Sequence, residues 1–112
     1  MLMQTFTFGG EDFTTLLTAA GWKIGSLCYS KRFSALTVAE RHLQTAEAFV
    51  LLKGNATRWV EGQSIKMQPC RLYLVDCGEW HHIVVSRNAV VLVAENSNTT
   101  AENTEKRVLC NN

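Results

Sequence analysis

Between Trp22 and Glu95 the chain alternates apolar and polar positions in short runs, with turn-forming residues every eight to twelve positions. The runs fall at 22–29, 33–42, 47–53, 55–61, 64–67, 71–75, 81–86 and 89–95. Ser30-Lys31, Gly54-Asn55, Glu61-Gly62, Pro69, Cys77-Gly78 and Arg87-Asn88 stand between them. A period of two places successive side chains on opposite faces of a strand, so each run has one face to bury. Eight short strands without an intervening helical pattern predict an all-β sandwich or barrel rather than βαβ units. Gly54-Asn55 reads as a tight hairpin, because glycine supplies the positive φ such turns require.

The flanks read differently. Phe13, Leu16, Leu17 and Ala20 stand at i, i+3, i+4 and i+7 and predict a short helix within 10–21, ended by Gly21 and covering an open end or a sheet face. After Asn96 the chain is rich in Asn, Thr and Glu, and 96–112 is expected to be a tail with at most a short turn of helix. No linker, repeat or composition break divides the chain, so 1–112 is read as one domain with its core at 22–95.

Composition narrows the function classes. With 112 residues, 46% of them hydrophobic, the chain suffices for one compact domain. Its 11 basic and 10 acidic residues leave a net charge of +1, which gives no electrostatic case for nucleic acid or an anionic membrane. No apolar run approaches the ~20 residues that span a bilayer, and Met1 to Gly10 lack the pattern of a signal peptide. A cytoplasmic location is expected, where thiols stay reduced. Cys28, Cys70, Cys77 and Cys110 show no C-x-x-C spacing and are expected to be free, buried or partly buried thiols.

The candidate chemistry lies on strand faces. Leu36, Val38, Glu40 and His42 share one face, which begins apolar and ends in two metal-capable groups. Glu47 follows the turn-like Gln44-Thr45-Ala46 and can fold back beside them, and His81 opens a later strand. Four such groups on one inner face of an apolar barrel need a reason, because unpaired buried charge is costly. A divalent metal held by Glu40, His42, Glu47 and His81 would supply one, and two imidazoles with one or two carboxylates suit Fe, Mn, Ni or Zn. The carboxylates can instead pair with Arg58 or a protonated His81, or share a proton. Arg58, Trp59 and Tyr73 are candidate pocket residues. Adjacent strand residues face opposite ways, so of His81 and His82 only one looks inward; His82 is assigned to the surface or an interface.

The spacing E-x-H-x4-E-x6-G at Glu40, His42, Glu47 and Gly54 resembles the first motif of the cupins, with Glu40 in place of the first histidine and Ser34 in place of the leading glycine. Asp76-Cys77-Gly78-Glu79-Trp80-His81 resembles the second motif at Gly78 and His81, while Asp76, Cys70 and Val85 depart from it. The likeness covers residues 22–95 and selects His81 as the inward histidine. It implies a small single-domain cupin, an all-β jelly-roll barrel that binds a divalent metal and a small polar metabolite. Isomerase, lyase or dioxygenase chemistry would suit such a site; a metal-free module that binds a small ligand without reaction is the alternative. A homodimer is expected, through outward-facing Trp80, His82 and Val84.

Overall fold

The computed structural model describes residues 3–109, so Cys110 and the last positions of the expected tail lie outside it. The strands are β1 (Phe13–Ala19), β2 (Trp22–Cys28), β3 (Val38–His42), β4 (Glu47–Lys53), β5 (Ala56–Val60), β6 (Gln63–Lys66), β7 (Leu72–Val75), β8 (His81–Val85), β9 (Val90–Asn96) and β10 (Thr104–Val108). Short 3-10 turns occupy Lys31–Phe33 and Ala101–Asn103. Two five-stranded antiparallel sheets face each other, in the orders β1-β2-β9-β4-β7 and β10-β3-β8-β5-β6. The chain changes sheet at almost every connection, which makes the sandwich a jelly roll. No described helix is long and apolar enough to cross a membrane.

Each of the eight runs between Trp22 and Glu95 contains a strand, but the helix expected over 10–21 is absent. Phe13–Ala19 is instead an edge strand paired with β2. A bulge between Thr15 and Leu17 interrupts its alternation, so the apolar residues fall at a spacing that imitates a helix. β-Branched Thr14, Thr15 and Thr18 favour the strand, and Ala20 and Gly21, with φ of 53° and 83°, close it onto β2 as a two-residue hairpin turn. The tail contains the expected short turn and, beyond it, a strand: β10 pairs with β3.

Gly54 does not close a hairpin. β4 pairs with β7 and β9, whereas β5 pairs with β6 and β8, so Gly54-Asn55 is a corner where the chain crosses between sheets. Gly54 has φ of 78°, and a Cβ there would lie 2.7 Å from Ala89 Cα. The return crossing from β8 to β9 runs alongside, tied by Ser86 N–H donating to Asn55 O at 2.9 Å. Glycine is needed both for the turn and for this close approach.

The inward residues Leu27, Phe33, Phe49, Leu51, Ala56, Met67, Val75, Ile83, Val85, Ala89, Val91 and Val93 fill one end of the sandwich. Cys28 is buried, whereas the free thiols Cys70 and Cys77 are exposed, contrary to expectation. Both sit in loops beyond the strands, where no sheet face covers them.

The outer face of the first sheet is unusual. Register places Leu72, Val50 and Leu92 in one row and Leu74, Ala48, Ala94 and Ile24 in the next, with no charged side chain in either. Leu72 and Leu74 are 66% and 65% exposed.

Candidate functional site

Toward the other end of the barrel the inward positions turn polar. On β4 the inward series reads Glu47, Phe49, Leu51, and on β9 Glu95, Val93, Val91. On β8 it reads His81, Ile83, Val85, and on β5 Arg58 follows Ala56. Pairing aligns the polar members: Glu47 opposite Glu95, Glu95 opposite Lys23, and Glu40 opposite His81. Together they line a cavity of about 440 Å³ whose remaining wall is largely apolar, with Phe13, Leu27, Phe33, Phe49, Ile83 and Val93.

Glu47 is the centre of the polar group. Its Oε1 lies 2.5 Å from His42 Nε2 and 3.4 Å from His81 Nε2, and all three residues are buried. The His42 and His81 ring centroids are 5.2 Å apart. Burial alone would raise the Glu47 pKa, but the contact with His42 outweighs it and holds the carboxyl ionised. Burial likewise opposes the charged form of His42, and Glu47 reverses it, so the His42 pKa is raised. The pair is a buried imidazolium–carboxylate.

Arg58 is 2% exposed, and its guanidinium lies 3.9 Å from the centre of the Phe49 ring. Its Nη2 donates to His81 Nδ1 at 2.7 Å. Burial first, then the Arg58 charge, push the His81 pKa down to about 3, so this ring is neutral.

Glu95 is the residue the sequence reading missed. The run before it, 89–94, is apolar at every position, so the sequence carries no parity signal for Glu95; the structure turns it inward with Val91 and Val93. Burial first, and then the adjacent Glu47 carboxylate, raise its pKa to about 7, against the pull of Lys23 Nζ 3.4 Å away. A carboxyl whose pKa is raised in the folded state contributes stability below its unfolded value, and that stability is lost as pH climbs through the folded value. The lowered His81 pKa acts in the opposite sense over part of this range, so the Glu95 contribution is read as a difference: the melting temperature of the wild type, relative to that of Glu95→Gln, is expected to fall by a few degrees between pH 4.5 and pH 7.5. Glu95→Gln keeps a donor beside Glu47 and cannot ionise, so the contributions of His42, His81 and Glu47 are common to both proteins and largely cancel in the comparison. Parallel curves for the two proteins would exclude a raised Glu95 pKa.

Of the residues expected to bind, His42, Glu47 and His81 converge, with ligand-capable atoms within 4.8 Å of one another, close enough to hold a metal. Glu40 lines the same cavity without joining this group. Arg58 lines it as well, but Trp59 and Tyr73 do not. Trp59 sits opposite His82 on the outer face of its sheet, and the Tyr73 hydroxyl is used by the Gln68 backbone N–H at 2.8 Å, away from the mouth. His82, assigned by the sequence to the surface or an interface, also borders this cavity, beside Phe33, and its Nε2 lies 3.1 Å from the Ala35 carbonyl.

The donor set only partly suits a metal. Among the described residues His81 Nε2 is buried without a hydrogen-bond partner, as an atom awaiting a ligand would be. The His42 Nδ1 lies 2.9 Å from Thr104 Oγ1, whose own proton goes to Thr100 O, so Nδ1–H is the donor and Nε2 is the atom turned inward. That is the usual support of a metal-ligating imidazole. His81 is wired the other way. Arginine only donates, so Nδ1 accepts and the ring proton sits on Nε2, where a ligating lone pair would be required. As arranged, the three residues do not fit a metal.

No protein-family model matches the chain, and no curated protein does. Solved structures do match. A variant of Streptomyces Pac13 bound to uridine superposes with a TM-score of 0.71 at 7% identity, over 99% of this chain and 95% of that one. Pac13 is described as a nucleoside dehydratase. A cupin-2 domain protein from Shewanella frigidimarina gives a TM-score of 0.62 at 15% identity, covering 80% and 84% of the two chains. KdgF from Halomonas gives 0.62 at 9% identity, covering 80% of each. At such identities the likeness establishes the fold, that of a small cupin barrel.

Proposed function

We propose that this small cupin barrel binds a hydroxylated metabolite at its mouth and moves a proton on it, with His42 and Glu47 as the acid–base pair. The observation that carries the reading is the buried His42–Glu47 contact of 2.5 Å opening into a cavity of about 440 Å³. A carboxylate and an imidazolium held together offer one proton acceptor and one proton donor, which elimination and isomerisation both need. The cavity falls in the size range of small-molecule sites, and its apolar wall suits a flat or carbon-rich part of the ligand. A nucleoside dehydratase among the structural neighbours supports a lyase over a redox enzyme. The proposed setting is cytoplasmic and rests on the sequence alone.

The test begins with elemental analysis of the purified protein, then a thermal-shift screen of sugars, sugar acids and nucleosides. A ligand at 100 times its Kd stabilises by about 2.7 kcal/mol, a readable shift. A hit converted in an NMR assay with chelator present is the expected result. A hit that binds and is not converted makes the protein a binding module. Conversion that chelator abolishes restores the metal reading, which the convergence of His42, Glu47 and His81 favours.

We further propose a homodimer built through the outer face of the first sheet, not through Trp80, His82 and Val84. Trp80 is already flanked by the Arg41 and Arg107 guanidiniums, 4.7 and 4.6 Å from its ring centre. The two apolar rows ending in exposed Leu72 and Leu74 hold no charge that must stay in water, so a second copy can stack on them about a twofold axis. Light scattering should give a dimer mass for the wild type and a monomer for the Leu72→Asp, Leu74→Asp double variant with unfolding still cooperative. A monomeric wild type at micromolar concentration would rule this out.

A further inference from the structure

We infer that Arg58 makes His81 a hydrogen-bond donor into the cavity, so that the position between His81 and Glu47 takes a hydroxyl oxygen of the ligand and refuses a divalent cation. This rests on the cavity being a ligand site, as proposed above, and adds the chemistry of one contact.

Arg58 has little freedom to be elsewhere. It is 2% exposed, its guanidinium lies over the Phe49 ring, and it stands opposite Ile65 and Ile83 in its sheet. A guanidinium carries donors only and keeps its charge, so its bond to His81 Nδ1 can be made only by the lone pair of that nitrogen. The neutral ring then has its proton on Nε2. That N–H points to the region of Glu47 Oε1, 3.4 Å away and already in contact with His42 Nε2, and it has no aligned acceptor among the described residues. Leaving a buried donor unmet is costly. One hydroxyl satisfies it, accepting from His81 Nε2–H and donating to a remaining lone pair of the Glu47 carboxylate. A cation satisfies Glu47 alone: to ligate it, His81 would have to move its proton to Nδ1, against an N–H of Arg58. His42 contrasts with it: an acceptor, Thr104 Oγ1, stands behind that ring and takes Nδ1–H, and its Nε2 meets Glu47.

Arg58 is thus a positioning residue acting through His81, and its role is read from the tautomer and from metal uptake. In wild-type protein labelled with nitrogen-15, His81 is expected as the neutral Nε2–H form at pH 7. Co(II), followed by its visible absorption, should produce no one-equivalent site at micromolar concentration. Arg58→Lys, which still offers only donors, should behave in the same way. Arg58→Gln places a carbonyl where Nδ1–H can donate, and should move the proton and bind Co(II) at least tenfold more tightly than wild type. Ribose, used as a polyol probe up to tens of millimolar, should shift the His81 Nε2–H resonance of the wild type. An Nδ1–H tautomer in the wild type, or one tight equivalent of Co(II) on it, would overturn the inference, as would a His81 resonance that ribose leaves unmoved. If Arg58→Gln does not fold, the wild-type measurements still decide. None of these readouts requires turnover, so a protein that converts no substrate would remove the acid–base reading and leave the assignment of His81 standing.

Discussion

Phe49→Ala is expected to destabilise the protein by about 3–5 kcal/mol, the usual cost of emptying a large aromatic site in a core. Phe49 is 2% exposed and lies midway along β4, between the apolar filling and the polar mouth. Its ring also carries the Arg58 guanidinium on one face. Truncation removes both the filling and the shelf, leaving a buried cation with less to rest on. Against a total stability of roughly 5–15 kcal/mol, this is a large fraction, and the melting temperature should drop by at least about 10 °C. Phe49→Leu separates the two roles, because it keeps most of the volume and loses the ring; about 1–2 kcal/mol is expected from that change. Denaturant unfolding of the three proteins checks the order. Equal stability of Phe49→Ala and wild type would mean that β4 does not turn this side chain inward, and the assignment of Glu47 to the same face would fall with it.

Glu47→Gln should have the largest effect on function. The side chain keeps its size, so the fold is retained, but the charge that raises the His42 pKa is gone. Two consequences are expected together. The His42 pKa, followed by NMR, should fall toward or below the ordinary imidazole value, because burial then acts unopposed. Conversion of any substrate found in the screen should drop by about 10²–10⁴-fold, the usual contribution of a positioned acid–base group. A variant with full turnover and a lowered His42 pKa would show that the pair is structural and that the proton moves elsewhere, with Glu95 the next group to test.

Much of the barrel is legible because strand parity is a local property. Alternation along 36–42 puts Glu40 and His42 on one face, whereas 89–94 is apolar at every position, so that Val91 and Val93 face inward is read from the structure and not from the run. The same parity, with the motif spacing, selects His81 over His82. Parity fails at β1, where one bulge shifts the apolar positions into a helical spacing, and it is silent about which sheet a strand joins. Gly54-Asn55 looks like a hairpin for that reason: a positive φ is a local signal, whereas the partner of β5 is not.

The sequence by itself determined that the chain is all-β through its centre, that Glu40 and His42 share a face, and that Glu47 and His81 belong to the same interior. The first two follow from a two-residue period and short turns, which act within a few positions; the third is what the resemblance to the cupin motif spacing implied. Only the tertiary structure decided that Glu95 stands across from Glu47, that Glu40 stays outside the convergent group, and that Arg58 reaches Nδ1 of His81. These depend on the pairing of strands distant in the chain, and a proton's place on an imidazole depends on the one neighbour that such pairing puts behind the ring.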